Sequence, residues 1–235
     1  MVDELGDFVR AALVVPATAA RRDPPAAVRR RRMVVVPVLL LGAVVTGWAL
    51  RIPAGDPTFY LATAVLALVW VGGAFAAGPQ HAGHARTRSG ALARPWVQAT
   101  VLGLGLVLVF LVGGLLIDRV PWLRDPVVDL LEHADVGAWP VVLLITVVNG
   151  ISEELFFRGA LYPALPARWA VAGSTVAYVL VGLGSGIWLL QVAAAFLGVV
   201  TALQRRVTGG VLAPVLTHLV FTTGLFFLLP PVLEL

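Results

Sequence analysis

Cysteine is absent from the 235 residues, which excludes a disulfide framework, a thiolate zinc site and a cysteine nucleophile. Lysine is absent too, so every basic side chain is arginine, a usage that accompanies GC-rich bacterial genomes. Charge of either sign is scarce: charged residues make up 13% of the chain and hydrophobic ones 59%, with a mean hydropathy of +0.93. A soluble domain of this length needs far more polar surface to cover its core. What abounds is apolar runs, several near or beyond the roughly 20 residues that span about 30 Å of hydrocarbon. The composition points to an integral membrane protein with almost no room for a separate soluble domain. A formal charge of +4 and a pI near 10.6 could suggest nucleic acid. In a membrane protein, arginine-rich cytoplasmic loops facing anionic lipid explain them, and no nucleic-acid partner is expected.

Residues 1–32 read as a cytoplasmic tail that ends in the polybasic run "RRDPPAAVRRRR". The apolar stretch Ala11 to Val15 is too short for a signal-peptide core, and Asp3, Glu4 and Asp7 precede it. Apolar spans follow at about 33–50, 58–77, 97–117, 139–161, 170–186, 187–206 and 210–229. The expected fold is an all-α, polytopic transmembrane helix bundle of about seven spans. Arg29 to Arg32, the loop with Arg86, Arg88 and Arg94, Arg168, and Arg205 with Arg206 all fall on one side if each span crosses once. The acidic loop "DRVPWLRDPVVDLLEHADVGAW" falls on the other. The positive-inside rule then puts the N-terminus in the cytoplasm of a multi-pass cell-membrane protein, with lipid as its first partner. "VGLGSGIWLLQ" is either a tight extracytoplasmic turn or a break within one long span, since Gly182, Gly184 and Gly186 permit both.

The fourth span holds "NGISEELFFRG", residues 149–159. One charge near the bilayer centre costs about 2.5–3.5 kcal/mol on insertion scales, so three together call for pairing or a water-filled cavity. Glu154 and Arg158 are four apart with the acid first, the favoured helical ion-pair order. Glu153 lies about 100° around the helix, towards a neighbouring helix, with Asn149 one turn before it on the same face. Glu154 is therefore expected to pair with Arg158, leaving Glu153 as a buried carboxylate able to act as a general base towards water. The plainer alternative is that the cluster only marks the cytoplasmic end of the span, with Arg158 snorkelling.

His218, in "APVLTHLVFTT" of the last span, lies about as deep as the glutamates, roughly 12–15 Å from the cytoplasmic end. The two features could meet, and Thr222 follows His218 one turn later on the same face. Against this stands a helix-packing hydrogen bond made by the histidine alone. His81 and His84 in "QHAGH" have metal-like spacing, but two histidines in a basic loop are usually solvated. The pairs Gly72–Gly73 and Gly113–Gly114 read as helix-packing sites.

At "SEELFFRG" the chain resembles the CPBP family, the intramembrane CAAX-type prenyl endopeptidases and bacteriocin-processing or self-immunity proteins, also called the ABI family. Its marks are an EExxxR motif, a later FxxxH motif and a still later HxxxN-like motif. "EELFFRG" matches the first, and "GVVTALQRRVTGGVLAPVLTHLVFTT" is similar to the stretch leading into the third. The resemblance covers about 139–229 and divides the chain into the 1–32 tail, N-terminal transmembrane helices 33–130 and a CPBP-like core 131–235. It implies an intramembrane endopeptidase with a polar cavity open to the cytoplasm, cleaving a peptide or membrane-protein substrate near the cytoplasmic membrane face. Glu153 would activate water, Glu154 and Arg158 would form the structural pair, and His218, with Thr222 at the position of the third motif's Asn, would hold the carbonyl oxygen or a metal. Two positions depart from the pattern. Tyr178 is followed four residues on by Gly182 where a His is expected, and Thr222 replaces an Asn. With Glu153, His218 and no third strong ligand, a divalent metal such as zinc would be underfilled and is not required by the sequence. Gly182 with Gly186 also reads as a close-packing pair. The alternatives are a non-catalytic relative serving as membrane scaffold or immunity-like protein and, less specifically, a transporter using Glu153 as a proton site.

Overall fold

Ten helices and one small hairpin form in the computed structural model, which describes residues 2–18, 23–136 and 138–233. Helix α1 (Val2–Val9) runs into a π-helical turn, Arg10–Val14. Then come α2 (Pro25–Ala49), α3 (Thr58–Ala77), the strand pair β1 (Ala85–Arg86) and β2 (Leu92–Ala93), and α4 (Trp96–Ile117). Next are α5 (Pro121–Val136), α6 (Trp139–Glu154), a second π-helical turn (Leu155–Leu161) and the short α7 (Tyr162–Ala164). The chain ends with α8 (Ala170–Gly182), α9 (Trp188–Thr208) and α10 (Leu212–Val232). Every long element is helical, so most backbone polar groups are satisfied within their own segments, as a bilayer demands.

Six helices are long and apolar enough to cross a membrane: α2, α3, α4, the continuous α6–α7 stretch, α9 and α10. The seventh expected span is shorter, Ala170–Ser185. It nevertheless runs the same depth as α2. Near its start, Arg32 donates to Ala164 O at 2.9 Å, and at its far end a methyl on Gly47 would lie 3.3 Å from Gly184 Cα. "VGLGSG" is a tight turn, in which Gly186 has φ +79° and Ser185 Oγ caps Ile187 N at 3.1 Å. Gly186 therefore serves the turn and makes no close helix contact, contrary to the packing-pair expectation. Helix α2 starts at Pro25, within the expected tail.

The helices α6, α3, α2, α8, α9 and α10 pack in a closed circuit, with α4 outside against α10. One apolar cluster joins α2, α3, α8 and the second π turn around Trp70, Phe156 and Phe157; another joins α4, α9 and α10 around Leu106, Leu197 and Phe221. Tyr178 borders both. Six of the seven tryptophans (48, 96, 122, 139, 169 and 188) are exposed at or beside helix ends, two levels of aromatic anchor of the kind that sits at membrane interfaces. The acidic loop is helical, and Arg124 ties it down by bonding Asp118 at 3.2 Å and Leu233 O at 2.8 Å.

At the arginine-bearing end, the loop after α3 adds backbone bonds to the α9–α10 turn: His84 N to Thr208 O at 2.9 Å, Val211 N to His81 O at 2.8 Å and Leu212 N to Ala82 O at 3.0 Å. Of the expected packing glycines, Gly73 meets Val38 and Gly114 meets Leu229, whereas Gly72 and Gly113 touch nothing within 4 Å. The closest approach of backbone to a glycine is at Gly210, where a Cβ would strike the Ala82–Gly83 backbone. Gly210→Ala should therefore lose about 1–3 kcal/mol by overpacking against backbone that cannot yield, seen as a lower Tm in detergent. Gly72→Ala, with open space around it, should leave the Tm unchanged.

Candidate active site

The "EELFFRG" stretch does not continue as α-helix. From Leu155 to Leu161 it is π-helical, and Tyr162 N bonds Phe157 O, five residues back. Pro163 then has no N–H to give. Gly159 O loses its ordinary donor to that proline, and Arg158 O loses both possible donors, since Tyr162 N is already committed. Arginines from other helices take over. Arg205 of α9 donates to Arg158 O at 2.8 Å, and Arg31 of α2 donates to Gly159 O at 3.2 Å. Arg31 is 3% exposed and also pairs with Asp23 at 2.8 Å. So the polybasic run is not wholly a headgroup anchor: one of its arginines closes the site from below. Π-turns recur at functional sites because they free carbonyls and re-aim side chains.

Glu154 and Arg158 are both 0% exposed and joined at 3.0 Å. The same oxygen, Glu154 Oε1, also lies 3.0 Å from His218 Nδ1, so Nδ1 carries the hydrogen that faces the carboxylate. Arg158 makes a further bond to Gly198 O at 3.1 Å, and its guanidinium lies 4.8 Å from the Tyr178 ring centre. Removing either partner of so buried a pair would strand the other charge, at a cost of about 3–5 kcal/mol. Glu153 has a different environment. It is half-buried, and its Oε2 accepts a 2.7 Å bond from the Tyr178 hydroxyl. Two carboxylates and one guanidinium sum to −1, so one proton on Glu153 or His218 makes the cluster neutral, as a low-dielectric site favours.

The glutamates, Arg158 and His218 thus come together, but His218 meets Glu154 and not Glu153. Its far edge lies against α6, where a methyl on Gly150 would be 3.5 Å from Nε2. Thr222 bonds back to His218 O at 3.0 Å and Asn149 Nδ2 to Ile145 O at 3.0 Å, so the hydroxyl and one amide N–H bond to their own helices. The space where a side chain at 182 would begin is taken by Gln191 of α9, whose Oε1 would be 2.8 Å from a Cβ there. Sequence reasoning used Tyr178 only to set register and did not find Gln191 or the inward arginines; only the tyrosine hydroxyl at an expected phenylalanine offered a signal. Among the described residues, no three His, Asp or Glu side chains are arranged to hold a metal ion. With Glu154 Oε1 held by Arg158 and His218 Nδ1 turned to it, the donors do not fit a catalytic zinc ion, which takes about three protein ligands.

Packing around the site is lopsided. Towards the arginine-bearing end, Phe156 to Leu161 are all buried, as are Leu197, Thr201, Gln204, Ala213 and Thr217. Towards the acidic end, no residue of Trp188–Phe196 or Thr222–Val232 is buried, and Asn149, Tyr178 and Gln191 are part-exposed. On the arginine-bearing side, Gln80 packs against Gly159, and Arg31 and Arg205 bond the carbonyls of Gly159 and Arg158. Asn149 and Tyr178, the part-exposed neighbours of Glu153, lie towards the other half of the bundle.

Residues 135–224, which carry every side chain of this cluster except Arg31, match the family model Rce1-like, described as type II CAAX prenyl endopeptidase Rce1-like. The match covers 90 of the 235 residues and agrees at the family level with the resemblance to CAAX-type membrane endopeptidases; the first three spans lie outside it. No curated protein and no solved structure matches the chain.

Two outcomes follow from the packing. Arg205→Ala should lower stability by about 1.5–3 kcal/mol, the worth of a charge-assisted hydrogen bond, measured as a reduced Tm, with Arg205→Lys recovering part of it. The cysteine-free background makes single-cysteine labelling direct. Asn149→Cys should react with a small water-soluble thiol reagent added on the side that modifies an Arg119→Cys marker. Ala160→Cys should react from neither side, and labelling of Asn149→Cys only from the opposite side would overturn this route.

Proposed function

We propose that this protein is an intramembrane endopeptidase of the CAAX-protease type, with Glu153 as the base that activates the attacking water. The observation that carries this reading is the division between the two glutamates. Glu154 is fully enclosed by Arg158 and His218, while Glu153 stays part-exposed with one oxygen pinned by Tyr178. A pinned, accessible carboxylate beside a fixed cation has the form of a general base. Glu153 takes a proton from water as the oxygen attacks the peptide carbonyl, and returns it to the amide nitrogen as the C–N bond breaks. His218, oriented by Glu154, faces the same region of α6 and, when protonated, adds a donor towards the developing oxyanion.

Glu153 lies eleven residues before the end of α7, roughly 16 Å along the helix. In this reading the scissile bond lies at the level of Glu153, within the membrane and about as deep from the cytoplasmic end as the sequence implies. The substrate is a peptide or membrane-protein segment, the protein resides in the cell membrane, and the arginine distribution puts its N-terminus in the cytoplasm. Glutamate-only chemistry needs no metal.

Gly182 supports a second reading, a non-catalytic relative acting as scaffold or immunity-like protein. A missing member of a coupled catalytic unit usually costs most of the rate, and Gln191 fills the space.

Purified protein in detergent, offered a mixed peptide library, separates the two. Cleavage should be abolished by Glu153→Ala and strongly reduced by His218→Ala, with Glu153→Ala retaining the wild-type Tm to within a few degrees. Cleavage unaffected by Glu153→Ala, or none from wild type in detergent and in lipid vesicles, would leave the scaffold reading.

A further inference from the structure

Tyr178 is engaged from three directions by the groups of the site. Its hydroxyl donates to Glu153 at 2.7 Å, its ring lies 4.8 Å from the Arg158 guanidinium, and Phe157 meets the ring edge-on at 4.9 Å. Packing alone would need none of the first contact, since a phenylalanine fills the same volume. A phenol in an apolar bundle finds a partner, but here the partner is the half-buried carboxylate, although backbone carbonyls line the same helices.

Of the other polar groups near Glu153, Asn149 gives one amide hydrogen to Ile145 O and Thr222 its hydroxyl to His218 O. Arg158 turns its two terminal nitrogens to Glu154 and Gly198, away from Glu153, and its Nε has no hydrogen-bond partner. His218 spends Nδ1 on Glu154, so its other nitrogen donates only when the ring is protonated. Peptide hydrolysis needs a donor placed where the carbonyl oxygen becomes an oxyanion. We infer that Tyr178 is a further catalytic residue, the phenolic donor that stabilises this oxyanion. The inference rests on the endopeptidase reading of the same site.

The transfer is built into the resting hydrogen bond. While Glu153 is a carboxylate, it is the strongest acceptor within reach of the hydroxyl. As water attacks, a C–O bond forms, the carbonyl π pair moves to its oxygen, and the water proton goes to Glu153. The carboxylic acid so formed accepts weakly, and the new oxyanion becomes the better partner for the phenol. Tyr178 keeps its own proton throughout. When Glu153 passes its proton to the amide nitrogen and the C–N bond breaks, the hydroxyl returns to the carboxylate. The guanidinium at the ring face withdraws electron density and makes the phenol a stronger donor.

Tyr178→Phe keeps the ring contacts with Phe157 and Arg158, so the fold should survive, which an unchanged Tm will show. Its kcat should fall about 10²–10³-fold, as when one oxyanion donor is removed, with KM within about twofold, a split that a packing defect does not produce. The double variant Tyr178→Phe with Gly182→His should regain part of the lost rate. The clash there is with the flexible end of Gln191, and an imidazole N–H enters from the next turn. Replacing Tyr178 by a ring-fluorinated tyrosine, which retains the shape and alters only the donor, should change kcat without moving the Tm. Cleavage that depends on Glu153 but proceeds at wild-type kcat in Tyr178→Phe would overturn the role of Tyr178 alone. Absence of any Glu153-dependent cleavage would overturn the endopeptidase reading, and this one with it.

Discussion

Glu154 is a carboxylate that no solvent reaches, inside a bundle with little other charge, and most of the site is arranged around that fact. Unpaired, such a group is not tolerated in hydrocarbon. Its partners come from three helices: Arg158 one turn along its own, His218 from α10, and through Arg158 the Gly198 carbonyl of α9. The pair thereby pins α6 to α9 and α10 at a set rotation. That rotation is what leaves Glu153, the next residue back, facing α8.

The π turn is a consequence as much as a cause. Pro163 denies donors to two carbonyls just past the ion pair, and the chain meets this by widening the turn and recruiting Arg31 and Arg205. Each arginine satisfies a polar group that would otherwise be orphaned in an apolar medium, and each also closes the arginine-bearing end beneath the glutamates. Backbone-on-backbone contact between Gly83 and Gly210 completes the closure. In the half beyond Glu153, Arg124 ties the end of α10 through Leu233 O, but α9 over Trp188–Phe196 and α10 over Thr222–Val232 hold no buried residue. Sealing on one side and slack on the other suits a hydrolase, which must admit water to one carboxylate and deny it to its neighbour.

Adjacent residues of identical chemistry therefore hold different jobs because their neighbours differ. Glu154 organises. Glu153, held by one phenol and otherwise accessible, is free to react. At glycine 182 the space beside the backbone is occupied by Gln191, and Tyr178, one turn earlier, gives its hydroxyl to Glu153.

Apolar run length alone located the spans, and the 3.6-residue period alone paired Glu154 with Arg158, because both are properties of a single helix. Depth matching also brought His218 to the right level, since a straight helix rises by a constant amount per residue. What the period does not encode is the rotation of one helix against another. Only the tertiary structure decided that His218 binds Glu154 rather than Glu153, that Tyr178 faces Glu153, and that Arg31 turns inward from a run read as a surface anchor. And the direction from which Glu153 is reached depends on which half of the bundle packs tightly, which is set by contacts among α6, α8, α9 and α10 and written in none of them separately.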